Sequence, residues 1–203
     1  MKLFRIVLGA TSVALMLSGC SSLPVLDEPN PIPMSVSSYK AHELEGKSDQ
    51  VSVALDVADC VEAAMLVSKG VFGGTSVEAA YPVRQAIERE FQRVIDDNFC
   101  EPVDGNDDLI LRVSTMRVML TQTRFTYTSD ISLTVRLMHP DESRAPLFRK
   151  TYRAKSSGSM DDDDEIPNCF YEALQSIAEN FATDLASNKK LVWYFEGVQN
   201  NKN

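Results

Sequence analysis

The sequence predicts an α+β two-layer sandwich in the order β-α-β-β-β-α, with two helices on one face of a mostly antiparallel four-stranded sheet. Three observations lead there. Four separate stretches alternate apolar and polar residues, the period of half-buried strands. Two longer stretches repeat apolar residues at helical spacing. Each strand pattern has only one apolar face, so helices are expected on one side of the sheet alone.

The first strand is read at about Gln50–Ala58, where Val51, Val53, Leu55 and Val57 alternate with small or polar residues. Cys60 to Lys69 is open between a short helix and an irregular crossing. Gly70-Val71-Phe72-Gly73-Gly74 reads as a loop, and it lacks the Gly-Lys-Ser/Thr ending of a phosphate loop. Thr75-Ser76-Val77-Glu78 fits a capping box. Pro82 suits the first turn of the main helix or a kink in a longer one. Val83, Ile87, Phe91, Val94, Ile95 and Phe99 then form one apolar stripe. Arg84, Glu88, Arg89, Glu90 and Arg93 lie off that stripe, and a mixed set of this kind reads as solvated surface.

After the turn Asp104-Gly105-Asn106 a strand is expected over about Asp108–Leu120. Leu109, Leu111 and Val113 share one parity, whereas Met116, Val118 and Leu120 share the other. That phase flip predicts a β-bulge near Ser114-Thr115. Thr121 to Ser129 contains the hairpin bend. Ile131, Leu133, Val135 and Leu137 make the next strand, with Ser132, Thr134 and Arg136 facing out. His139–Ser143 is a turn, and Pro146 to Ala154 is the fourth strand, with Phe148 and Tyr152 on one face beside Lys150. Ser156 to Glu165 reads as a loop. Phe170, Ala173, Leu174, Ile177, Phe181 and Leu185 are the cleanest helical stripe in the chain. Leu191–Phe195 is open between a short edge strand and a tail packed on the sheet.

The start of the chain carries a different signal. Lys2 and Arg5 precede an uncharged apolar run, Ile6 to Leu17, too short to span a bilayer. The run ends in Leu17-Ser18-Gly19-Cys20, which resembles the lipobox of bacterial lipoproteins. The resemblance implies lipid attachment at Cys20, cleavage before it and acylation of the new N-terminus, giving the two or more chains that stable anchoring needs. Ser21 follows the cysteine where aspartate marks inner-membrane retention in enterobacterial lipoproteins. The resemblance therefore places the protein on the outer membrane, facing the periplasm. The plain alternative is a secreted protein whose Cys20 is incidental. The expected division is a signal peptide at 1–19, a proline- and serine-rich tether at 20–49, one domain at 50–198 and a disordered tail at 199–203.

Composition is globular, with 44% hydrophobic and 24% charged residues. The net charge is −9, and more negative once Lys2 and Arg5 are removed. An acidic chain lacks the clustered basic residues that nucleic acid needs, and it is ill suited to lying flat on anionic lipid. Cys60, Cys100 and Cys169 show no C-x-x-C spacing, which argues against zinc. In an oxidising compartment one disulfide is expected. With the first strand running upward, the predicted order places Cys60 and the start of the last helix at one end and Cys100 at the other. That selects a Cys60–Cys169 bridge with Cys100 as a free thiol.

No catalytic constellation, metal site or cofactor is read from the sequence. The two histidines, His42 in the tether and His139 before a proline, assemble no triad or metal cluster. Asp161–Glu165 fails the spacing of a calcium loop and reads as a solvated run favouring the following helix N-terminus. Arg124, Phe125 and Tyr127, at the hairpin, are candidate partner contacts, with packing as the alternative. Core or edge packing is favoured for Trp193-Tyr194-Phe195.

The lipobox, the proline-rich leader and the element order are similar to small Gram-negative envelope lipoproteins. These are the auxiliary lipoproteins of ABC-type transport systems, the YajG-like lipoproteins and the lipopolysaccharide-assembly lipoprotein. The stretches that carry the likeness are Leu17–Cys20, Arg84–Phe99 followed by Leu109-Ile110-Leu111-Arg112-Val113, and Leu147–Tyr152. The resemblance implies a non-enzymatic accessory in envelope assembly or lipid transport, working within a protein complex. An activator or adaptor of a periplasmic enzyme, such as a cell-wall synthase, is the second expectation. An orphan hydrolase is the third.

Overall fold

The computed structural model describes residues 38–202 apart from 42–43, 58, 70–74, 103–106, 124–125 and 160–164. Its elements are β1 (Val53–Asp56), β2 (Ala63–Lys69), β3 (Thr75–Pro82), α1 (Val83–Asn98), β4 (Leu109–Gln122), β5 (Thr126–Met138), β6 (Phe148–Ser159), α2 (Glu165–Ser187) and α3 (Lys189–Lys202). The class is the expected α+β sandwich. Among the described residues the sheet has six strands, ordered β3-β2-β4-β5-β6, with β1 also paired to β4.

The long strand β4 organises the sheet. Its first half pairs in parallel with β1, from Val53↔Leu109 to Asp56↔Arg112, and its last residues pair in parallel with β2, from Leu66↔Leu120 to Ser68↔Gln122. β1 and β2 therefore occupy one edge of β4, one above the other. β4, β5 and β6 form an antiparallel meander. Its register shifts between Thr115 and Arg117, the bulge that the phase flip predicted. Leu109, Leu111 and Val113 before the bulge and Leu120 beyond it are all buried. One extra residue keeps both halves of the strand on the core side.

α1 and α2 pack over this apolar side. Phe181 of α2 is fully buried, with ring centroids 5.9 Å from Phe91 of α1, 5.9 Å from Phe148 and 6.3 Å from Tyr152 of β6. One side chain thus ties both helices to the sheet.

Several expectations change. The residues read as a helix or crossing contain β2, because an apolar run flanked by strands on both edges satisfies its backbone in the sheet. Thr75–Glu78 belongs to β3, since pairing with β2 outweighs a local cap. Leu191–Phe195 is helical and sits in α3. Asn188 Oδ1 accepts the amides of Lys190 (3.0 Å) and Leu191 (3.3 Å), an N-cap, and Leu191 and Phe195, four apart, are both fully buried. The tail continues as helix to Lys202.

The folded unit also begins before Gln50. Tyr39, Ala41 and Leu44 belong to the hydrophobic core. Asp97 Oδ2 accepts the Tyr39 amide at 2.5 Å, and Asn98 brackets the same segment, accepting from Ala41 N (2.9 Å) and donating to Tyr39 O (3.0 Å).

The Cys60–Cys169 bridge is corrected as well. Cys60, Cys100 and Cys169 form no disulfide. β1 is only four residues long, so Cys60 lies at mid-height of β4, with its thiol 3.3 Å from Val113 O. Cys169 lies near the start of α2, a few residues after β6, whose last residue pairs with Thr126 at the far end of the sheet. Cys100 sits at the opposite end beside Ser52, as expected.

Candidate functional site

Among the described residues the helices cover one face of the meander and no second layer covers the other. Side chains alternate along a strand, so the register between strands sets which residues meet on that open face. Three rows result. Arg112, Arg136 and Arg149 lie side by side across β4, β5 and β6, with Asp56 of β1 at the end of the row. Ser114, Thr134 and Thr151 make the next row, joined by a 2.8 Å contact between the two threonine hydroxyls. Beyond the bulge Arg117, Ser132 and Arg153 follow, with Met119, Asp130 and Lys155 next to them.

Asp130 is the counter-charge for that upper part. It is 8% exposed and accepts a bidentate pair from Arg153 at 2.9 and 2.7 Å, with Lys155 at 3.7 Å and Arg117 at 3.8 Å. The hydrogen bonds from Arg153 and the surrounding cations hold its carboxyl below the ordinary aspartate range. Asp130 offsets one of the three cations at this end and fixes the Arg153 guanidinium.

The lower row is different. The turn between β5 and β6 borders it, and together they line a half-open pocket of ≈ 250 Å³. Arg112, Arg136 and Arg149 form part of its lining, and the turn adds Glu142, Arg144 and Pro146. Met138, two residues beyond Arg136 on the same strand face, is 7% exposed and supplies an apolar wall. Arg112 is held by Asp56 and Glu142, each at 2.6 Å. Arg144 lies 3.6 Å from Asp141, whose carboxylate also caps its own turn by accepting from Ser143 N at 3.0 Å. Arg136 and Arg149, register partners on adjacent strands, have no carboxylate partner among the described residues. The Nε of Arg136 is buried and makes no hydrogen bond.

A second concavity of ≈ 490 Å³ lies between β1 and α1, lined by Leu55, Val57, Gln85, Glu88, Arg89 and Gln92. Arg89 there already stacks over Tyr171 at 4.9 Å and approaches Glu90 at 3.8 Å. Its one cation is committed to the fold, so the arginine pocket is the stronger site for an anion.

The residues singled out from sequence fall elsewhere. Leu17, Ser18, Gly19 and Cys20 lie outside the described residues, as do His42, Arg124, Phe125 and Asp161–Asp164. Tyr127 is described and only 8% exposed, with the parity of Ser129, Ile131 and Leu133 on the core side. His139 packs edge-on against Tyr194, 5.5 Å between centroids. Trp193 is 77% exposed, whereas Phe195 is fully buried. Among the described residues no group of three His, Cys, Asp or Glu side chains is placed to hold a metal. Among them too, no helix is long and apolar enough to cross a membrane.

The arginine row itself was half visible. Outward alternation marks Arg136, but its neighbours depend on the bulge and on two hairpin lengths.

No family model matches the sequence, and no curated protein matches it. Solved structures do. A protein from Xanthomonas campestris that carries the DUF330 family model superposes with a TM-score of 0.52 at 14% identity, covering 77% of this chain and 91% of that one. A minor lipoprotein from Acinetobacter baumannii gives a TM-score of 0.41 at 12% identity, covering 70% and 93%. The first likeness is one of fold.

Proposed function

We propose that this chain is an outer-membrane-anchored periplasmic lipoprotein, a non-enzymatic accessory in envelope assembly or lipid transport, which meets its partner through the open sheet face. The observation that carries the reading is that face. Its side chains are cationic and hydroxylic, with Arg117, Arg149, Arg153 and Lys155 all exposed in a chain of net charge −9. Polar, hydrogen-bonding and electrostatically distinct from the rest of the surface, it suits a partner of acidic complement. The Leu17-Ser18-Gly19-Cys20 signal supports the anchor. The first described residue, Ser38, bonds to Asp97 at 3.1 Å, so the chain joins the fold on the helix layer, opposite the open face.

Photo-crosslinking in cells tests this reading. A photoreactive residue in place of Thr151 or Ser157, both exposed on the open face, is expected to capture a discrete envelope protein. The same residue in place of Glu179, exposed on α2, is expected to capture far less. Capture from Glu179 alone would move the interface to the helices, and capture of a cell-wall synthase would favour the activator reading. Cys20→Ala is expected to accumulate as uncleaved precursor without lipid label. Normal cleavage and release of that variant would remove the anchor from the account.

A further inference from the structure

The geometry points to the arginine pocket under the β5–β6 turn as a binding site for a phosphate group, carried on a lipid headgroup or free in solution. Like charges directly opposite one another on adjacent strands are destabilising. Here three arginines stand in one row, Arg112↔Arg136 and Arg136↔Arg149. Asp56 and Glu142 neutralise the first of them. The other two keep their charge with no carboxylate among the described residues to offset it. The buried, unbonded Nε of Arg136 adds an orphaned donor, which costs free energy until an acceptor reaches it.

An oxyanion offsets the uncompensated charge directly. Guanidinium forks match phosphate oxygens bidentately, so Arg136 and Arg149 supply the pairing geometry while Arg144 on the turn closes from the side. At ≈ 250 Å³ the pocket is smaller than the roughly 300–1,000 Å³ typical of whole small-molecule sites, which suits a phosphate head more than a large ligand. Met138 and Pro146 give an apolar border on which the first carbons of an ester rest. The net acidity of the chain does not oppose this, because the field that matters is local: exposed charges farther away than about 8–10 Å are screened at physiological salt. This inference does not depend on the anchoring reading, and its test uses purified protein without any partner.

The test is isothermal titration of the full-length chain in neutral maltoside micelles at constant ionic strength, with inorganic phosphate in one arm and a short-chain phosphatidylglycerol in the other. Saturable binding with one site is expected in at least one arm. Binding of both identifies phosphate itself as the ligand, and binding of the lipid alone assigns the site to headgroups. Arg136→Gln and Arg149→Gln are each expected to weaken binding tenfold or more. Arg136→Lys, which keeps the charge and loses the fork, is expected to weaken it less. Arg153→Gln, on the same face but engaged with Asp130, is expected to change affinity by less than twofold. Melting temperatures guard against misfolding: without ligand the two glutamine variants should melt at or above the wild type, because they relieve like-charge contact. No saturable binding in either arm, or equal weakening by all the substitutions including Arg153→Gln, would overturn the inference.

Discussion

Glu90 shows how far individual side chains commit the helix layer. It has no exposed surface, yet it is a carboxylate. Tyr39 donates its hydroxyl to Glu90 Oε2 at 2.8 Å, Arg93 lies 3.5 Å from the same oxygen, and the Arg93 guanidinium sits 5.5 Å from the Tyr39 ring centroid. Losing one partner of a buried charge is costly, so Tyr39→Phe is expected to lower stability by about 1–3 kcal/mol in urea unfolding. Burial, then the bond to a carboxylate, raises the Tyr39 phenol well above its ordinary value, and the same two causes raise Tyr152, bonded to Asp184. A raised native value contributes stability below the unfolded tyrosine value of about 10 and loses it as pH rises beyond. Stability should therefore fall above that pH, and the Tyr39→Phe/Tyr152→Phe double variant should show a shallower alkaline decline from a lower neutral starting point. Asp130 has the opposite sign. Its lowered native value contributes stability above the ordinary carboxylate range of about 4, lost as pH falls through it. Asp130→Asn should flatten the acid limb of the stability curve.

Among the elements, β4 decides which face is which. Its extra residue at the bulge lets Val113 and Leu120 both reach the core, although they differ in parity. Deleting Met116, 66% exposed and contributing little packing, would remove the bulge and give Val113 and Leu120 one parity, so a regular ladder keeps both on the core side. The expected outcome is a deletion variant that still melts cooperatively, with Met116→Ser within a few degrees of the wild type; loss of cooperative melting in the deletion would show that the strand requires its bulge. This bulge was legible in the sequence because apolar parity flips there. β2 and β3 were not, since Ala63–Lys69 fits several structures until its neighbours are known, and Thr75–Glu78 carries a local cap signal that sheet pairing overrides. α3 was missed because Trp193-Tyr194-Phe195 has strand-like composition, while the Asn188 cap and the Leu191/Phe195 spacing carry the helical information. The thiol pairing failed for a related reason. It assumed one full-length first strand, and the chain instead divides that edge of β4 between β1 and β2.

For the whole molecule, the informative contrast is between overall charge and local charge. Composition gives −9 and turns attention from anions, yet the register gathers arginines from three strands onto a face that no described element covers. Residue types and outward directions are read from the sequence, but their assembly into a row is a property of the folded sheet. The helix layer receives the chain from the N-terminal side at Tyr39–Leu44, and the proposed division of work assigns the partner to the opposite face. Thiol protection in native envelopes tests that division most directly. Single cysteines replacing Thr151, Ser157 and Glu179 are labelled with a membrane-impermeant maleimide, in opened envelopes and in purified protein. The account predicts that labelling at 151 and 157 is suppressed several-fold in envelopes relative to purified protein, while labelling at 179 is unchanged. Equal labelling of all three in both preparations, or protection at 179 alone, would contradict it.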